Sequence, residues 1–418
     1  MIKIDSNKKN HCIFTSLFTV ISLLLCRSWY IDKTRLFNVD FFNLFILALF
    51  IGMTFYQLYG WWNVKSASGR VNSSVSDKRD RMHNIEFLRV IFTIGVLLSH
   101  FLHKLEIWNR GCFGVVFFFV VSGFFLLKTF DADVNILQIV KKRIIQFLPL
   151  IMAGSFLKAL FASHIKVADM LAEFFLITST GMYKDCTYNE VSWYISVLFW
   201  CSLFYICIFK FFTKDRACFV VGILTFIGTS ALVKRGVGLN AYLGDVGDIG
   251  YIFDMRLIYG LTGIGWGCLV YAMYINFSLA NSENNTNKLF YTSLELLFLL
   301  YSILFMFNNK FYVGNFAFFF IVFSVLLFLF AIRRGYISQF FENSIWSKLS
   351  KYCLATYLVQ MVTVVSIFNW AVKKYPLLLT EYKGFTIFAT LFICIVFGVW
   401  AHYVVEKPCG KFLKKVLN

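Results

Sequence analysis

Apolar positions in this chain come in unbroken blocks, without the polar stripe that a water-facing helix carries. Residues 316–332 and 385–401 hold almost no charge over about 17 positions, which at about 1.5 Å per residue approaches the thickness of bilayer hydrocarbon. Twelve blocks follow one another, over roughly 12–30, 40–62, 86–103, 112–128, 144–163, 191–209, 217–233, 256–275, 289–307, 316–332, 352–370 and 384–405. An unpaired backbone cannot face lipid, so each block predicts a helix. The expected fold is an all-α integral membrane protein, a polytopic bundle of about 12 transmembrane helices. A soluble protein with buried helices would need a coat of amphipathic helices around them, and none is evident.

Polar stretches divide the chain. The stretch 63–85 is rich in Ser, Asn, Lys, Arg and Asp and separates the first two blocks from the remaining ten. The expected organisation is two extra N-terminal transmembrane helices over 1–62 and a cytoplasmic linker over 63–83, then a membrane domain over 84–410 and a short basic tail over 411–418. Residues 12–26 resemble a signal-peptide core, but Cys26-Arg27-Ser28-Trp29-Tyr30 has no small-x-small cleavage site, so a retained anchor is expected. With the N-terminus inside, inner connections hold about 24 basic residues and outer ones about 15, Arg89 set aside. That bias follows the positive-inside rule and makes both termini cytoplasmic. The Gly-rich stretch 234–255 is an expected outer loop; it lacks the following lysine and preceding strand of a phosphate-binding loop.

Composition agrees. Of the 418 residues 59% are apolar, 20% aromatic and 15% charged, and the mean hydropathy is +0.71. A soluble domain carries about 25% charged residues. The net charge of +18 would suggest nucleic acid in a soluble protein; here it reads as topology, with the lipid bilayer as partner and no nucleic acid. The 11 cysteines include no Cys-x-x-Cys pair. Cys112 and Cys186 both fall in or near outer loops, which leaves a disulfide open.

The stretch from Glu86 to His100 carries the chemistry. Arg89 and His100 are eleven residues apart, which returns to within about 20° of one helix face, about 16 Å along the axis. Glu86 lies within about 60° of Arg89 on that stripe. Ionisable groups inside a membrane are costly and line cavities or mark function. A guanidinium suits a phosphate, and an imidazole can act as base toward a hydroxyl. Taken singly, Arg89 can be a snorkelling anchor and His100 an interfacial residue. Shared alignment on one stripe favours the functional reading.

Around this stripe the sequence resembles the membrane-bound acyltransferase-3 family, bacterial integral membrane enzymes that O-acylate surface glycans. The family's arginine, ten residues and histidine correspond to Arg89 and His100. Gly114-Val115-Val116-Phe117-Phe118-Phe119-Val120-Val121-Ser122-Gly123-Phe124, Trp193-Tyr194-Ile195-Ser196, Leu349-Ser350-Lys351-Tyr352…Thr356-Tyr357-Leu358-Val359 and Glu406-Lys407-Pro408 follow in the family's order. The resemblance covers about residues 84–410, and its ten expected helices equal the family core. Three positions depart from the pattern: Gln146 stands where a basic residue is common, Gln360 where a histidine often follows, and Val116 where an acidic residue is frequent.

The resemblance implies acetyl-CoA as acyl-donor substrate, no permanently bound cofactor, and a glycan or lipid-linked sugar as acceptor. With the helix-face reading it makes His100, Arg89 and Glu86 the expected catalytic residues; Arg89, Lys142 and Arg143 are the expected donor-binding residues, and Ser122, Trp193 and Arg256 the expected substrate-binding candidates. The blander readings stay open: helix packing for Ser122-Gly123, an aromatic belt for Trp193, topology for Lys141, Lys142 and Arg143, and an interface anchor for Arg256. No metal site is expected, since no histidines stand at ligand spacing. Only ten residues follow Pro408, so the membrane domain is expected to act alone or with a separate partner. The expected localisation is the bacterial inner membrane. A non-catalytic glycan transporter or flippase is the alternative in a different class, and O-succinyl transfer the alternative within the enzyme class.

Overall fold

A computed structural model describes residues 81–102, 113–131, 136–159, 166–181, 189–234, 255–280, 287–306 and 315–417. The two expected N-terminal helices, most of the 63–83 linker, the Gly-rich stretch, Cys112 and Cys186 lie outside the described residues. Within them every regular element is helical. In chain order these are α1 (His83–Leu102), α2 (Gly114–Asp131), α3 (Ile136–Ala159), α4 (Val167–Phe174), α5 (Ser192–Phe211), α6 (Lys214–Lys234), α7 (Met255–Ala280), α8 (Lys288–Met306) and α9 (Asn315–Ile332). Two short helices follow, α10 (Tyr336–Phe340) and α11 (Ser344–Ser350). Next, α12 (Cys353–Gln360) runs through a π-helical stretch, Met361–Phe368, into α13 (Asn369–Lys374). Last, α14 (Lys383–Ala401) runs through a second π-helical stretch, His402–Glu406, into α15 (Lys407–Leu417).

Long helices thus fall on each of the ten later blocks. Four are long and apolar enough to cross a membrane: Ser192–Phe211, Arg216–Val233, Met255–Ser278 and Lys383–Leu417. Gly114–Phe130 and Phe318–Ile332 are shorter apolar helices. The block expected at 144–163 sits on a helix that begins earlier, at Ile136, because the polar turn Gln138–Arg143 prolongs it. The last helical run, 383–417, is 35 residues long, or about 52 Å; it overshoots the roughly 30 Å of hydrocarbon, so its Lys-rich end projects. Exposed Phe385, Phe388, Phe392 and Trp400 on α14, and Leu296, Leu297, Leu300 and Leu304 on α8, form apolar outer faces that suit lipid.

Helix α7 lies at the centre, packed against α2, α5, α6 and α9, and most extensively against α2. The α2–α7 crossing depends on glycine. A Cβ at Gly123 would overlap the Ile264 carbonyl, and one at Gly267 would overlap the Val120 carbonyl. These are backbone atoms and cannot step aside, so both positions require the missing side chain. Gly267→Leu should therefore cost more than the roughly 1–3 kcal/mol of ordinary overpacking. The expected outcome is loss of monodisperse protein on size exclusion in detergent; normal elution and melting temperature would contradict it.

One end of the bundle is clipped by carboxylates. Glu342 accepts hydrogen bonds from the backbone N–H groups of His83 (3.1 Å) and Asn84 (3.2 Å), satisfying two of the open donors at the start of α1. Asn84 Nδ2 donates to the Phe330 carbonyl at 2.6 Å, and His83 Nδ1 and Ser347 Oγ are 2.6 Å apart. Buried Glu295 likewise accepts from Gly335 N (3.1 Å) and Ser338 N (3.0 Å), capping α10. This clamp fixes the register of α1, and with it the helix that carries Glu86 and Arg89.

Candidate active site

Beside the clamped start of α1, five helices line a half-open cavity of about 590 Å³. Helix α1 presents Glu86, Arg89 and Thr93, spaced three and four residues apart on one stripe. Helix α2 contributes Ser122, Phe118, Phe125 and Thr129, and α3 contributes Gln138, Lys142, Arg143, Gln146 and Phe147. Tyr194 and Leu198 of α5 and Cys353, Leu354 and Tyr357 of α12 complete the wall. Aromatic and aliphatic side chains make the body of the cavity, and the charges gather toward the clamped end. A volume of that size lies within the range of small-molecule sites.

The charges are unequally compensated. Arg89 Nη1 donates to Glu86 Oε2 at 2.8 Å, and Arg81 approaches the other carboxylate oxygen at 3.7 Å. Glu86 is buried, so the pair forms within the protein wall. Arg143 has no carboxylate partner among the described residues. Its Nη1 donates to Ser202 Oγ at 2.7 Å, with the Leu198 carbonyl at 3.5 Å, which pins it to α5. Ser202 in turn donates to Leu198 O at 2.5 Å. The lining thus holds three cations, Arg89, Lys142 and Arg143, against one carboxylate, Glu86. A cleft with low-dielectric walls and surplus positive charge attracts an anion.

Tyr194 and Ser122 both line the cavity, with Arg89 and Arg143 close enough to act on the Tyr194 hydroxyl electrostatically. The Tyr194 ring is held edge-on to Tyr357 at 5.6 Å and tilted against Phe119 at 4.7 Å. Two hydroxyls therefore open onto the cavity next to the guanidinium groups, able to donate or accept a hydrogen bond.

Of the eight residues expected from the sequence, five line this one cavity: Glu86, Arg89, Ser122, Lys142 and Arg143. Three do not. His100 is half-buried on α1, about 16 Å beyond Arg89, and is absent from the cavity lining; residues 103–112, which follow it, lie outside the described residues. Trp193 is buried, with its ring against Phe119 and Tyr194, so it backs a lining residue rather than facing the space. Arg256 opens α7, a helix that contributes nothing to this lining. Ser122 lines the cavity, and Gly123 packs against α7.

Comparison with known families adds the remaining fact. Residues 82–404 match the family model described as the acyltransferase domain of type 3. The chain belongs to the acyltransferase-3 family. Comparison with curated proteins and with solved structures returns no match. Family membership and the apolar helices make the protein a membrane acyltransferase, and the matched span contains every helix that lines the cavity. Within this acyltransferase-3 domain, Tyr194, Thr93, Gln138 and Cys353 join the wall without having been expected there. Tyr194 directly follows Trp193 in the matching motif, and Thr93 continues the Glu86–Arg89 stripe by one turn, so both had a signal in the sequence. Gln146, a departure from the family's usual basic residue, lines the same space.

Proposed function

We propose that this acyltransferase moves an acetyl group from acetyl-CoA to a hydroxyl of a cell-surface polysaccharide, or of its lipid-linked precursor. The observation that supports this most is the cavity with surplus positive charge and an apolar body. A CoA thioester has matching parts, polyanionic at one end and apolar along its arm. Arg143 and Lys142 meet the phosphates. Arg89, oriented by Glu86, adds a guanidinium to the same surface. The surplus of basic residues on this side of the chain favours the cytoplasm of a bacterial inner membrane as the source of the donor.

In this reading His100 takes the proton from the acceptor hydroxyl as the oxygen attacks the thioester carbonyl. The carbon–sulfur bond then breaks, and the departing CoA sulfur receives the proton from the imidazolium. The products are an acetyl ester and free CoA. The roughly 16 Å between Arg89 and His100 suits a donor whose phosphates and thioester are held at opposite ends of an extended arm. The Tyr194 and Ser122 hydroxyls, on the same cavity wall as Arg89 and Arg143, can hydrogen-bond polar groups of the donor at that end.

The reading is tested on the product. Surface glycans from cells with and without the protein are treated with mild base, and the released acids are identified by mass. Acetate present only when the protein is present is the expected result. Succinate in its place would move the donor to succinyl-CoA, and identical ester content would overturn the reading.

A further inference from the structure

A second basic site lies at the same end of the bundle, outside the cavity. Lys351 and Tyr352 precede Cys353, which lines the cavity near Glu86 and Arg89. Tyr352 meets the second π-helical stretch: its hydroxyl is 3.1 Å from that of Tyr403, and its ring stands edge-on to His402 at 5.2 Å. Lys351 Nζ lies 4.6 Å from the Tyr352 ring centre and 5.9 Å from that of Tyr403. Lys407 Nζ lies 4.2 Å from the centre of the same Tyr403 ring. Two ammonium groups therefore stand against a pair of adjoining phenol rings whose hydroxyls are hydrogen-bonded to each other.

Neither lysine has a carboxylate partner among the described residues. Glu406, next in sequence to Lys407, is occupied elsewhere, with its Oε2 2.6 Å from His402 Nδ1. His402 and Glu406 pair within the π-helical stretch while Tyr403 and Lys407 are exposed, and such turns recur at functional sites. Hydrogen bonding to Tyr352 holds Lys351 above the ordinary lysine range.

We infer that Lys351, Lys407, Tyr352 and Tyr403 form a phosphate-binding site on the surface beside the cavity. Two ammonium groups and the one phenol O–H left free by the Tyr352–Tyr403 hydrogen bond gather on this patch, donors that suit a phosphate monoester or diester. Two sources share that chemistry: the ribose 3′-phosphate of a CoA donor and the headgroup of an anionic lipid. The site is argued from its own geometry, and only the first source rests on the donor reading above.

The experiment compares the full-length wild type with the K351Q/K407Q double variant, using K348Q as a control of equal kind on the neighbouring exposed Lys348. In one arm, calorimetry measures binding of CoA and of dephospho-CoA, which lacks the 3′-phosphate. In the other, native mass spectrometry measures retention of phosphatidylglycerol from mixed vesicles of phosphatidylglycerol and phosphatidylcholine. The double variant should lose about tenfold or more in one arm, the effect of losing charge-assisted hydrogen bonds, while K348Q matches wild type. Loss of CoA affinity with dephospho-CoA unchanged identifies the nucleotide, and loss of lipid retention identifies the headgroup. Both arms within about twofold of wild type, or K348Q equal to the double variant, would overturn the site. A wild-type protein that binds no CoA counts against the donor reading, and the lipid arm then decides this inference alone.

Discussion

Replacing His100 by alanine is expected to reduce acyl transfer by about 10²–10⁴-fold, the usual contribution of a general base, while donor binding stays near wild type. The separation follows from position. His100 lies about three turns from Arg89 along α1, and the cations that attract the donor line a cavity that does not include it. Turnover by purified enzyme, together with equilibrium binding of acetyl-CoA, measures the two effects separately. Equal loss in both would make His100 a structural residue, and near-normal turnover would remove it from the chemistry. Labelled acetyl-CoA supplied without acceptor tests the remaining mechanistic branch. A label retained on wild-type protein and lost in His100→Ala would mean a transient acyl-imidazole in place of direct transfer.

The second large effect carries opposite signs for stability and binding. Arg143 is a half-buried guanidinium held by a serine hydroxyl and a carbonyl, with no carboxylate to offset its charge. Such a charge is costly in the empty protein, so Arg143→Met is expected to leave melting temperature unchanged or raised. Donor affinity should fall by about ten- to a hundredfold with the loss of its charge-assisted bonds to phosphate. Arg89→Ala should behave differently. It strands the buried Glu86 carboxylate and removes the partner at 2.8 Å, which costs about 3–5 kcal/mol for a fully buried pair and less here, because Arg89 is partly exposed and Arg81 remains nearby. Thermal melting in detergent, with and without acetyl-CoA, measures both. A strongly destabilised Arg143→Met with intact affinity would show that Arg143 braces α3 against α5 and takes no part in donor binding.

Much of the architecture could be read from local pattern. The positions of the long helices follow from apolar block length, which depends on neighbouring residues in sequence alone. Helix α3 was only half legible: apolarity begins at Ile144, yet the helix starts at Ile136, because an amphipathic turn forms helix without forming a block. The Glu86–Arg89 pair is three residues apart on one helix and so was readable directly. Bonding of Arg143 to Ser202, and the placement of Tyr194 on the same cavity wall as Arg89 and Arg143, depend on how α1, α3 and α5 meet, which no single-helix pattern encodes. Trp193 and Tyr194 illustrate the limit: one step along the helix, about 100°, decides which ring faces the cavity. The same holds for Ser122 and Gly123. The basic site at Lys351 and Lys407 was invisible for a further reason. Its members are 56 residues apart and meet only where the residues before α12 pack against the second π-helical stretch.

The central claim is that the cavity between α1, α2, α3, α5 and α12 holds the acyl donor. Photocrosslinking with a diazirine-bearing acyl-CoA, followed by peptide mass spectrometry, tests it most directly. Label is predicted on lining residues such as Phe118, Phe125, Phe147 and Leu354, with acetyl-CoA abolishing it by competition. Competed label confined to helices that do not touch this space would contradict the account.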